Sequence, residues 1–138
     1  MIVPASVAEV WDDVARLETH TEWMADAASI DFVGEQRSGV GTQMVVETRV
    51  GPLRTSDRLE FIRWDPPRQM EVRHNGIVRG TGAFTLSEEA AGTRFMWSEK
   101  LEFPWFLGGP VAAAMAAPIL RRIWKGNLDR YLRRFSDR

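Results

Sequence analysis

The sequence predicts an α+β protein: a short helical pair, an antiparallel meander of six strands, and one long C-terminal helix lying over the sheet. Three observations carry this. Apolar residues recur at helical spacing just after the start. From Ser29 to Phe103 the period of the pattern changes to two. After Pro110 an apolar stripe at helical spacing returns and runs almost to the end. A helix repeats every 3.6 residues and a strand every two, so these changes mark changes of element.

Only Met1, Ile2 and Val3 precede Pro4, which leaves room for a very short first strand unless the chain's true start lies upstream. Ser6 can cap the first helix, and Glu9 three residues on completes a capping box. Val7, Val10, Trp11, Val14 and Leu17 then form one apolar face. Asp12 and Asp13 read as surface acids of that helix. A polar link from Glu18 to Glu22 follows, with His20 facing solvent beside Thr19 and Thr21. Trp23 and Met24 open a second helical turn.

The strands are expected at about 29–37, 41–50, 53–64, 68–75, 78–88 and 92–103. Thr42, Met44, Val46, Thr48 and Val50 alternate with polar residues, as do Met70, Val72 and His74. Phe84 shares a face with Leu86, and Phe95, Trp97, Glu99, Leu101 and Phe103 share another. Gly51-Pro52, Asp65-Pro66-Pro67, Asn75-Gly76 and Ala91-Gly92 supply the turns. Such alternation makes a sheet that is apolar on one face and wet on the other. The last helix is expected at about 110–135, with Val111, Met115, Ile119, Ile123, Leu128, Tyr131, Leu132 and Phe135 as its buried stripe. Pro118 removes one backbone hydrogen bond and should kink or split it. Trp124 falls beside the stripe. Arg133 and Arg134 suit the negative end of the helix.

Composition narrows the function. The chain has 138 residues, no cysteine, two histidines and a net charge of −1. No disulfide, cysteine-rich zinc site or thiol nucleophile is available. Two histidines make a histidine-rich metal site implausible, and no cofactor is called for. The near-neutral charge argues against a phosphate-driven nucleic-acid binder. No signal peptide and no spanning apolar run is found, so a cytoplasmic location is expected. Without linkers or repeats, residues 1–138 read as one domain. The charge is polarised: residues 1–37 hold eight acids and two bases, whereas residues 109–138 hold two acids and seven bases. Asp129 and Asp137 interrupt the bases, which favours a solvated helix face over a membrane-binding block.

A curved sheet wrapped round one helix leaves a tapered space between them, and the alternation nominates its lining. Met44, Phe61, Met70, Trp97 and Met115 suit a cavity wall, with core packing as the alternative; Val46, Val72 and Ile119 complete the set. If Ala91-Gly92 closes the last hairpin, Gly82 lies opposite Trp97 and Gly80 opposite Glu99. These glycines either make room on the concave face or mark a bend in the strand. The inward polar candidates are Glu99, His74, Asp57 and Thr55. A Glu near a His in an apolar cavity would serve acid–base chemistry; a satisfied polar pair, or a wet position at the mouth, serves as well.

Several motifs resemble one family. Val3-Pro4-Ala5-Ser6-Val7-Ala8-Glu9-Val10-Trp11 is similar to the opening of the SRPBCC superfamily. This superfamily includes START, polyketide cyclase/dehydrase and birch-pollen-allergen-like proteins. Trp23, Trp64-Asp65-Pro66-Pro67-Arg68, Gly82-x-Phe84 and Gly92-Thr93-Arg94 resemble its later motifs, in the right order. The resemblance implies the helix-grip fold, with six to seven strands around the C-terminal helix. It implies a hydrophobic small molecule or lipid as partner, or else a polyketide cyclase/dehydrase-type reaction using Glu99, His74 and Asp57. A third possibility is a partner-binding or stress-related protein with an incidental cavity. In this fold the loop from Phe103 to Pro110 lies near the cavity entrance. Trp105 and Phe106 there would form a lid or a peripheral membrane contact, or pack onto the helix. The short first strand departs from the family pattern and would leave the last strand partly unpaired, an edge suited to a homodimer as an alternative to a monomer.

Overall fold

The computed structural model describes residues 1–76 and 78–136; Asp137 and Arg138 of the basic tail lie outside them. Strand β1 (Ile2–Val3) leads into α1 (Val7–Val14) and a 3-10 helix (Leu17–Glu22). The meander follows as β2 (Ala27–Phe32), β3 (Gln43–Val50), β4 (Leu53–Asp65), β5 (Gln69–Asn75), β6 (Arg79–Glu89) and β7 (Gly92–Glu102). A 3-10 turn (Trp105–Leu107) precedes α2 (Gly109–Ser136). The seven strands form one antiparallel sheet in the order β1-β7-β6-β5-β4-β3-β2.

Local chemistry sets the ends of these elements. The Ser6 hydroxyl accepts from the Glu9 N–H at 3.2 Å and caps α1. The expected polar link lies within the 3-10 helix, and its His20 is buried rather than solvated. Strand β2 ends at Phe32, so residues 33–37 are not part of it. Strand β1 pairs with β7 only at Ile2↔Arg94 and Val3↔Thr93, and β7 beyond Phe95 carries no second strand among the described residues.

The last hairpin closes one pair later than the turn signal suggests, at Glu89↔Gly92. Gly82 therefore faces Glu99, and Phe84 faces Trp97. The shift moves each partner by two residues, so every side chain keeps its face of the sheet. Helix α2 runs through Pro118 unbroken. Proline removes only its own N–H, and the Ala114 carbonyl that would have accepted from it belongs to an exposed residue open to water.

Helix α2 departs most from the pattern. Its buried residues are Gly109, Asn127, Tyr131 and Phe135. Val111, Met115 and Ile119 of the expected buried stripe are exposed. The first half of the helix thus turns Val111, Met115 and Ile119 to solvent, and the large buried side chains all come from the second half.

That core is aromatic at its centre. Trp23 is 1% exposed, with its ring centroid 4.9 Å from Tyr131, 6.0 Å from Trp97 and 6.5 Å from Phe95. Trp11 of α1 meets Trp64 of β4 edge-on at 5.4 Å. Each large side chain removed from water contributes roughly 1.5–3 kcal/mol, so this cluster fixes how the helices sit on the sheet.

A polar seam holds α2 to the first quarter of the chain. Asp13 is buried, not a surface acid, and accepts from Arg134 at 3.0 Å and Arg16 at 2.9 Å. Burial alone would raise the Asp13 carboxyl, but the bond and charge of Arg134, with help from Tyr131 and Arg16, hold it below its ordinary value. Asn127 accepts from the Ala25 N–H at 3.0 Å and donates to Asp26 at 2.7 Å. Arg130 donates to the Trp23 carbonyl at 3.0 Å. Arg134→Met would leave Asp13 buried with only Tyr131 and the largely exposed Arg16 as partners. Urea unfolding should then show a loss on the order of 3 kcal/mol. A change within experimental error would show that the pair does not hold the helix.

Candidate ligand cavity

A cavity of about 260 Å³ lies between the concave face of the sheet and α2. Strand β7 shows how it arises. Phe95, Trp97, Glu99 and Leu101 point to the same face; Phe95 is in the core, and the next three line the cavity. Met44 and Val46 of β3, Phe61 of β4, and Met70 and Val72 of β5 add apolar wall. Trp124 of α2 closes the far side, its ring 5.7 Å from Trp97.

The polar centre is Glu99. Its Oε1 accepts from the Trp97 Nε1–H at 2.9 Å, and its Oε2 lies 2.9 Å from His74 Nε2. A carboxylate only accepts, so with Glu99 ionised the His74 Nε2–H is the donor. The Glu99 and His74 side chains are 9% and 19% exposed. Gly82 lies directly beneath: a Cβ there would meet the Glu99 carboxyl at 2.5–2.7 Å. Gly82 therefore makes room for the carboxyl, whereas Gly80 is required by its own backbone. At Gly80 φ is 141° and the Lys100 carbonyl sits where a Cβ would point, and the residue does not line the cavity. Asp57 stands on the β4 wall, accepts from the Thr55 hydroxyl at 3.2 Å and lies against Gly76. Together the carboxylate, imidazole and indole N–H can hold a polar group of a ligand or exchange a proton with it.

Besides Gly80, three nominated residues lie elsewhere. Trp105 is 87% exposed and Met115 74%, and Ile119 is likewise on the solvent side of α2. The residues of α2 that reach the cavity are Leu120 and Trp124, roughly a third of a turn away from Ile119 and Met115. Trp105 and Phe106 pack edge-on with each other at 6.0 Å and stand out from the molecule rather than down onto the helix. Among the described residues, no group of three or more His, Asp or Glu side chains is placed to hold a metal ion.

The family model for polyketide cyclase/dehydrase and lipid transport matches residues 1–138. The chain belongs to this family. It lies within the SRPBCC superfamily, and the sheet and long helix form the helix-grip fold. No curated protein matches the sequence. Similar solved structures include TTHA0849 from Thermus thermophilus, with TM-score 0.78, 18% identity, and 99% and 94% of the two chains covered. The Zhui aromatase/cyclase from a Streptomyces species gives 0.76 at 14% identity, covering 99% and 90%. A START superfamily protein from Mycobacterium smegmatis gives 0.72 at 12% identity, covering 99% and 94%. At these identities the likeness is one of fold. Among the described residues, no helix of this family member is long and apolar enough to cross a membrane.

The sequence reading missed His20 as a cavity residue. It is 4% exposed, lines the cavity, and lies between the rings of Trp23 at 5.3 Å and Phe84 at 5.9 Å. Its polar neighbours Thr19 and Thr21 masked the burial; the available signal was its place three residues before the buried Trp23. Burial pushes the His20 imidazole down to about 4. The bond to the Val14 carbonyl and the charges of Asp13 and Glu18 oppose this, and Arg134 reinforces it. The folded state therefore resists a proton that the unfolded state takes near pH 6.5, and stability falls as pH drops from about 6.5 towards 4. Urea titrations should show this decline, on the order of 3 kcal/mol in all, with the His20→Gln variant lacking it between pH 6.5 and 5. An identical decline in both proteins would assign it to other groups.

Proposed function

We propose that this protein binds a compact, largely apolar small molecule in the cavity between the sheet and α2. The observation that carries this reading is the Glu99 carboxylate, held by Trp97 and His74 and set in apolar walls of Met, Phe, Val and Trp. Binding sites commonly combine an apolar lining with a few placed polar groups. The volume favours one size class. Small-molecule sites range over about 300–1,000 Å³. Liquid water takes about 30 Å³ per molecule, so 260 Å³ accepts on the order of ten non-hydrogen atoms. That suits a one- or two-ring compound and is too small for a two-chain lipid.

Native mass spectrometry of protein purified from its own host tests this. The expected result is one bound species with a mass on the order of 200 Da. A bare protein mass, with no uptake of naphthalene as a probe, would contradict it.

A second reading is favoured by one observation, the 2.9 Å contact of Glu99 with His74 inside the cavity. It is a proton-transfer reaction of the cyclase/dehydrase type on the bound molecule. Glu99 would take the proton of an acidic C–H or O–H, and His74 would hold the carboxylate in place. In that case Glu99→Gln should lower turnover of a short poly-β-ketone substrate by about 100-fold or more while naphthalene binding survives. Unchanged turnover would remove Glu99 from the chemistry.

A further inference from the structure

We infer that the cavity recognises a ring compound with hydroxyl groups at opposite ends, one donating to Nδ1 of His20 and the other to the Glu99 carboxylate. This rests on the binding function proposed above and names the ligand class that the site would select.

The backbone selects the tautomer of His20. Its Nε2 lies 2.7 Å from the Val14 carbonyl oxygen. A carbonyl only accepts, so the proton is on Nε2, and in the neutral ring Nδ1 is a bare lone pair. None of the hydrogen bonds found among the described residues ends on that atom. It is also not among the polar atoms sealed from space without a partner. The residue as a whole is buried and borders the cavity, and in the proposed mode of binding the unpaired Nδ1 faces it. Protein groups satisfy one nitrogen of this ring and leave the other to whatever occupies the site. Because burial keeps the imidazole neutral far below pH 7, the acceptor persists across the physiological range.

The second acceptor stands across an aromatic wall. His20 lies 5.9 Å from Phe84, Phe84 lies 5.3 Å from Trp97, and the Trp97 indole donates to Glu99. His20 and Glu99 are thus separated by two ring contacts with no polar side chain between them on that wall. A carboxylate has about four acceptor positions, and Trp97 and His74 use two. Two acceptors flanking an aromatic surface call for a flat molecule that donates at both ends. A carbonyl or ether oxygen facing His20 would meet a lone pair and leave Nδ1 unpaired, which penalises such ligands.

Titrations at pH 7 with 2,6-dihydroxynaphthalene, 6-methoxy-2-naphthol and naphthalene, read by tryptophan fluorescence, test this. The diol should bind at least about fivefold more tightly than the methoxy compound, which has the same outline and one donor fewer. In His20→Phe the ratio should fall to near one while naphthalene still binds. Protein carrying ¹⁵N-labelled histidine gives a readout that does not depend on the variant folding: the Nδ1 resonance of His20 should move upfield when the diol saturates the site and stay in place with naphthalene. If naphthalene binds but the diol gains nothing, or the Nδ1 resonance does not move, the inference fails and the binding function stands. If none of the three compounds binds, both fail.

Discussion

Helix α2 is anchored along one half only. Asn127, Tyr131 and Phe135 enter the core, and Asp13–Arg134, Asn127–Asp26 and Arg130–Trp23 join that half to the N-terminal quarter. The other half offers small side chains such as Ala113 and Ala117 to the sheet side. Small residues facing a concave sheet cannot fill the gap, and the anchored end prevents the helix from settling into it. The cavity, and the smaller cleft beside it that Ala113 and Ala117 line, follow from this division of one helix into a fixed part and a part that stands off. The aromatic cluster around Trp23 marks the boundary, because Trp23 touches both Tyr131 of the fixed half and Trp97 at the edge of the cavity.

A cavity formed in this way constrains what may line it. A lone carboxylate in apolar surroundings costs several kcal/mol, and Glu99 is tolerated because Trp97 and His74 both donate to it. Gly82 gives its carboxyl somewhere to lie. His20 solves the same problem differently: it stays neutral and uses one nitrogen on the Val14 carbonyl. Glu99 and His20 are therefore held by bonds that fix their orientation before any ligand arrives, and such preorganisation lowers the cost of binding.

Much of this was legible in the sequence, for a definable reason. Period-two alternation fixed the inward face of every strand, and the hairpin's shift by two residues left those faces unchanged. Met44, Phe61, Met70, Trp97 and Glu99 could therefore be placed on the concave side without knowing the register. The pattern failed where it assumed that an apolar stripe is a buried stripe. Val111, Met115 and Ile119 have helical spacing, yet burial depends on whether an element packs against that face, which spacing does not encode. His20 and Asp13 failed for a related reason. Asp13 is covered by Arg134 of α2 and His20 packs on Phe84 of β6, both distant in the chain, and a local window of polar residues looks solvated until they arrive.

The central claim is that the space beneath the free half of α2 is the binding site. A crystal structure of the complex with 2,6-dihydroxynaphthalene tests it most directly. The account predicts the ring system lying along Phe84, Trp97 and Trp124, with the anchored half of α2 unmoved. Ligand seated instead on the exposed Trp105–Ile119 surface, with the cavity unchanged, would contradict it.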